Sequence, residues 1–99
     1  MTRAIETYEI EWQGIAIEIN WEAKWHNSDI YPIAHIQLRA EGRQPLPMTE
    51  TGYRSHFVQR EQVEAYGTPV EYVTAWLEEA ALSPAWPRYV EESKQMSLF

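Results

Sequence analysis

The chain has 99 residues, 15 acids against 8 bases for a net charge of −7, and no cysteine. That length carries one domain, and the acidity argues against direct nucleic-acid binding and against docking on an anionic membrane, both of which need a basic footprint. The lack of cysteine removes disulfides, thiolate metal sites and thiol nucleophiles, and with no apolar span or leader stretch the expectation is a cytoplasmic protein.

The first third reads as a β-hairpin. Tyr8, Ile10 and Trp12 alternate with polar residues, and Ile15, Ile17, Ile19, Trp21, Ala23 and Trp25 do the same. A period of two marks half-buried strands. Gln13-Gly14 between them predicts a two-residue turn, with the glycine supplying a positive φ. That turn sets Trp12 opposite Ile15, Ile10 opposite Ile17 and Tyr8 opposite Ile19, all on one face. The other face takes Thr7, Glu9, Glu11, Ala16, Glu18, Asn20 and Glu22, with Glu9 across from Glu18. This face reads either as an acidic patch for a basic partner or as a solvated surface neutralised by a third strand.

Residues 26–29 read as a loop and residues 33–41 as a third strand. Ile36, Leu38 and Ala40 share its inner face; His35 and Arg39 on the outer face are placed to stand beside Glu22 and Glu18. Residues 42–52 form a long loop, and residues 53–58 a short fourth strand. Residues 59–66 read as a short helix stopped by Gly67. Thr68-Pro69-Val70-Glu71 is a capping box with proline at the first helical position. Val70, Val73, Leu77 and Ala80 follow as one apolar stripe, widened by Tyr72 and Trp76. Ser83-Pro84 signals a last helix to about Ser93, limited by Pro87. The expected fold is α+β: a three- or four-stranded antiparallel sheet grown from the N-terminal hairpin and packed by C-terminal helices. Residues 1–93 make the domain and residues 94–99 a tail.

Charge is uneven along the chain. Residues 1–29 carry −4, residues 30–60 carry +2 and residues 61–99 carry −5. The bases of the middle third are all arginine, the side chain suited to planar anion contacts. Residues 49–57 are its densest polar-aromatic stretch. Tyr53, Arg54 and His56, with Arg43, are the candidate anion or small-ligand residues. The plainer reading packs Tyr53, Phe57 and Val58 and leaves Arg54 and His56 to water. The five tryptophans read as core, with Trp12, Trp21 and Trp25 inward on the hairpin and Trp76 on the helix; exposed, they would mark a contact surface.

No nucleophile–base pair, phosphate loop or metal-ligand spacing is present; His26, His35 and His56 stand far apart. No catalytic residue, cofactor or metal ligand is assigned, and a non-enzymatic protein is expected.

Lys94 is followed by Gln95-Met96-Ser97-Leu98-Phe99. This pentapeptide resembles the motif by which bacterial polymerases, mismatch-repair proteins and initiator regulators dock on the sliding clamp. The resemblance implies Gln95 in a small polar pocket, Met96 at its rim, and Leu98 with Phe99 in an apolar cleft. In the body, His35-Ile36-Gln37-Leu38-Arg39 and residues 45–57 resemble small proteins of bacterial plasmids and integrated elements, which implies a mobile-element setting and no particular activity. The favoured function is a small adaptor that binds a protein partner, a bacterial sliding clamp, through Gln95, Met96, Leu98 and Phe99. Two rivals stand beside it: an acidic DNA mimic using Glu9, Glu11, Glu18, Glu22 and the acids of the helices, and a small-ligand or enzyme site around Arg54 and His56.

Overall fold

The computed structural model describes residues 5–26 and 32–96. Strands β1 (Glu6–Trp12) and β2 (Ile15–His26) form the hairpin. Gln13 and Gly14 both have positive φ, 49° and 80°, a primed turn whose twist matches that of the strands it joins. The register follows the turn as expected: Trp12 pairs with Ile15, Ile10 with Ile17, Tyr8 with Ile19 and Glu9 with Glu18. Strands β3 (Ile33–Ala40) and β4 (Tyr53–Gln59) complete a four-stranded antiparallel sheet in the order β1-β2-β3-β4. A 3-10 turn at Glu41–Arg43 begins the β3–β4 connection.

Three helices follow: α1 (Arg60–Glu64), α2 (Pro69–Ala81) and α3 (Ala85–Met96). The Thr68 hydroxyl accepts from the Glu71 N–H at 3.2 Å and the Glu71 carboxylate accepts from the Thr68 N–H at 3.2 Å. Two otherwise orphaned donors are thereby satisfied at the start of α2. The helices cover one sheet face. Ile17, Ile19, Ile36, Leu38, Val63, Val73 and Leu77 are almost wholly shielded there, with Trp12, Trp21 and Trp86 around them. The fold is the expected α+β arrangement. Its second sheet face carries no helix among the described residues and, Glu22 apart, is half-buried or exposed along its described length.

The structure departs from the sequence reading at three places. Trp21 pairs with Ile36 and His26 with Ile33, so five steps along β2 match three along β3. This bulge between Glu22 and His26 breaks the strict alternation. Trp25, expected in the core, lies against Phe57 on the open side and is 39% exposed. Glu22, expected on a solvated face, is buried. Finally, Pro87 sits in the first turn of α3, where a missing N–H costs nothing. The helix therefore continues past Ser93, its expected end, to Met96. Ser97, Leu98 and Phe99, like residues 27–29 of the expected loop, lie outside the described residues.

Candidate docking site on the sheet

Alternation along β4 decides where the candidate residues point. Arg54, His56 and Val58 pair with Leu38, Ile36 and Ala34, all fully buried, so they face the helices. Tyr53, Ser55 and Phe57 face the open side. The set expected to act together is thus divided: Arg54 and His56 lie on one face and Tyr53 on the other. Arg43 belongs to neither group and lies with Arg39, Glu41, Glu9, Glu11 and Glu18 around a shallow groove of about 750 Å³.

On the helix side, His56 lies 4.6 Å from the Trp76 ring and shares a 3.3 Å hydrogen bond with the Tyr72 hydroxyl. The Arg54 guanidinium sits 5.8 Å from the Trp76 ring centre, and Tyr66 meets Tyr72 edge-on at 5.4 Å. Burial lowers the His56 pKa, and the positive charges of Arg54 and His35 lower it further. The Tyr72 hydroxyl is pushed up, again chiefly by burial. Both groups are therefore held neutral near neutral pH, so His56 acts here as a packed aromatic with one polar contact.

The open side of β3 and β4 carries a continuous row. Trp25 packs edge-on to Phe57 at 4.6 Å, and His35 lies 4.7 Å from Phe57. A 2.6 Å hydrogen bond joins His35 Nε2 and Ser55 Oγ, and Gln37 Nε2 donates to the Tyr53 hydroxyl at 2.8 Å. Arg39 ends the row, 6.0 Å from the Tyr53 ring centre. Phe57 is 53% exposed, so a large ring is both fixed by neighbours and presented to solvent. Sequence reasoning missed Phe57 and Trp25 as a surface pair. For Phe57 the alternation of Tyr53, Ser55 and Phe57 was signal enough; for Trp25 the bulge left none.

The two halves of this face differ in charge. On β1 and β2 the face carries Glu9, Glu11, Glu18 and Glu22, with Lys24 within the bulge, whereas on β3 and β4 it carries His35 and Arg39 and no acid. Glu18 has Glu9 as register partner on one side and Arg39 on the other, and Glu22 pairs with His35. The third strand thus sets Arg39 and His35 in register beside Glu18 and Glu22, the positions expected of it.

An α+β domain with one helix-covered sheet face and one open, charge-divided face is what these elements define. Residues 5–86 match the family described as KlcB third domain, and the chain belongs to that family. The match spans the sheet, α1 and α2 and ends at Trp86, so it includes every residue of the sheet site and stops short of Gln95. Searches of the curated proteins and of the solved structures returned no match.

Proposed function

We propose that this domain is a non-enzymatic binding module that engages a protein partner through the β3–β4 half of its open sheet face. The exposed Phe57, braced by Trp25 and His35, is the observation that supports this reading. Aromatic rings already held in place lose little entropy on binding and contribute large contact area, the character of interface anchors. A photoreactive phenylalanine analogue at position 57, with one at the highly exposed Leu82 as control, tests it in cells. One discrete adduct from position 57, lost with Trp25→Ser and absent from position 82, is expected. Equal crosslinking from both positions, or none from 57, overturns the reading.

A second reading has a separate basis. Gln95-Met96-Ser97-Leu98-Phe99 fits the sliding-clamp motif at every position, which supports docking on a bacterial clamp through Gln95, Met96, Leu98 and Phe99, in a cytoplasmic, mobile-element setting. Clamp titration tests it. Wild-type protein is expected to bind at micromolar order, about −8 kcal/mol. Phe99→Ala removes most of that affinity by emptying the deepest pocket. Equal titration curves for the two proteins would sink this reading. The DNA-mimic alternative asks for a row of acids without cations among them; Arg39 beside Glu18, and Arg43 in the same groove, argue against it.

A further inference from the structure

The two edges of the sheet are built differently. In an antiparallel ladder, residues alternate between those whose N–H and C=O both reach the neighbouring strand and those whose groups point away. In β1 the two-residue turn makes Trp12 and Ile15 a bonded pair, so Thr7, Glu9 and Glu11 turn their backbone groups outward. Two of these three carry carboxylates, a common guard against unwanted strand addition. In β4 the Ala40 N–H donates to the Gly52 carbonyl at 2.8 Å and the Arg60 N–H to the Pro32 carbonyl at 3.0 Å. These bonds bracket the ladder and assign Arg54, His56 and Val58 as the residues bonded to β3. Tyr53, Ser55, Phe57 and Gln59 therefore point outward, and none of them is charged or proline.

The two ends of this edge are closed from within. The Thr49 hydroxyl donates to the Tyr53 carbonyl at 2.8 Å, and the Tyr53 N–H donates to the Thr51 hydroxyl at 3.4 Å. Gln59 is the N-cap of α1. Ser55 and Phe57 lie between, and no backbone hydrogen bond reaches their outer side among the described residues. Resting on the docking face described above, we propose that the β4 edge is a strand-addition site for an extended acidic segment of a partner protein. An added strand would bond the outward N–H and C=O groups of Ser55 and Phe57. Its side chains on the open side would meet Phe57, Trp25 and Tyr53, which suits apolar residues. Those on the helix side would meet Arg54 beside Trp76, which suits Asp or Glu. The absence of any acid from β3 and β4 gives this edge the complementary charge.

The probe is a seven-residue peptide alternating glutamate and valine, with a lysine–valine peptide as control, read by amide hydrogen exchange and NMR shifts on the whole protein. The free protein is expected to exchange the Ser55 and Phe57 amides quickly and those of Arg54, His56 and Val58 slowly. The acidic peptide should slow exchange at Ser55 and Phe57 by about tenfold or more, the worth of one hydrogen bond, and the lysine peptide should not. Ser55→Pro removes an outward N–H while sparing the ladder to β3, and should abolish this protection. Ser55→Ala, which loses only the contact to His35, should keep it. Equal binding of both peptides, or acidic-peptide binding unchanged in a folded Ser55→Pro variant, overturns the proposal. Shifts at Trp25 and Phe57 side chains without amide protection overturn strand addition and leave the docking face standing. Protection of Ser55 and Phe57 that grows with protein concentration alone assigns the edge to a second copy and also overturns it. If Ser55→Pro does not fold, the wild-type exchange data decide.

Discussion

The indole N–H of Trp12 donates to Oε1 of Glu78 at 2.9 Å, tying the end of the first strand to the last turn of α2. Beside it the Trp86 indole donates to the Gln13 side chain at 3.2 Å, and the two indoles lie 5.5 Å apart. Both helices that close this end of the core are thus pinned to the hairpin turn by a tryptophan with an apolar body and one polar handle.

Trp12→Phe keeps an aromatic ring, a smaller one, and loses the hydrogen bond; it should cost about 1–2 kcal/mol, because the exposed Glu78 carboxylate can return to water and only part of the indole packing is lost. Trp12→Ala should cost about 3–5 kcal/mol, since it empties a buried site as well. Urea titrations of the two variants measure the difference. A loss in Trp12→Phe as large as in Trp12→Ala would show that the hydrogen bond, and not the packing, holds α2 in place.

The hairpin turn and the β3–β4 loop should respond differently to an added methyl group. At Gly14, φ is 80° and a Cβ meets nothing within 4 Å, so the cost of Gly14→Val is backbone strain alone, about 1–3 kcal/mol. At Gly52, φ is 73° and a Cβ would lie 2.6 Å from the Arg43 carbonyl carbon. Strain and a displaced backbone then add, so Gly52→Ala should lower the melting temperature more than Gly14→Ala. The reverse order would contradict the close approach of Gly52 to Arg43.

Glu18 stands between a like charge and an opposite one. Glu18→Gln should leave stability within about 0.5 kcal/mol of wild type, as the two neighbours nearly offset. Glu9→Gln should raise it by a few tenths of a kcal/mol, and Arg39→Gln should lower it by a similar amount. Chemical denaturation of the three variants at low and high salt is the measurement. All three differences should shrink at high salt, because these charges lie near the surface.

His56 should make stability depend on pH in one direction. Burial first, then Arg54 and His35, lower its folded-state pKa below the ordinary 6.5. The unfolded chain therefore binds the proton more readily than the folded one. The contribution is complete at neutral pH and is lost as pH falls below about 6.5 towards the lower folded-state value. His56→Phe keeps the contact with Trp76 and cannot take a proton. Its melting temperature should fall less than that of wild type between about pH 7.5 and pH 5. Equal falls would mean that His56 takes up its proton as readily in the folded chain as in the unfolded one, and would contradict its burial against Trp76.

By itself the sequence determined the hairpin with its register, the capped α2 and the α+β class. These rest on short-range physics: a period of two, a turn needing positive φ, and a capping box whose partners lie three residues apart. The division of Tyr53 from Arg54 and His56 is also local, since neighbours on a strand must face opposite ways. Only the tertiary structure decided the rest. The bulge that turned Trp25 outward is a mismatch in length between β2 and β3, visible only when the two are paired. Which strand ends the sheet, and therefore that Ser55 and Phe57 hold outward-pointing backbone groups while Glu9 and Glu11 guard the other side, depends on the order in which all four strands assemble. No local pattern contains that order, because an edge is defined by the neighbour a strand lacks.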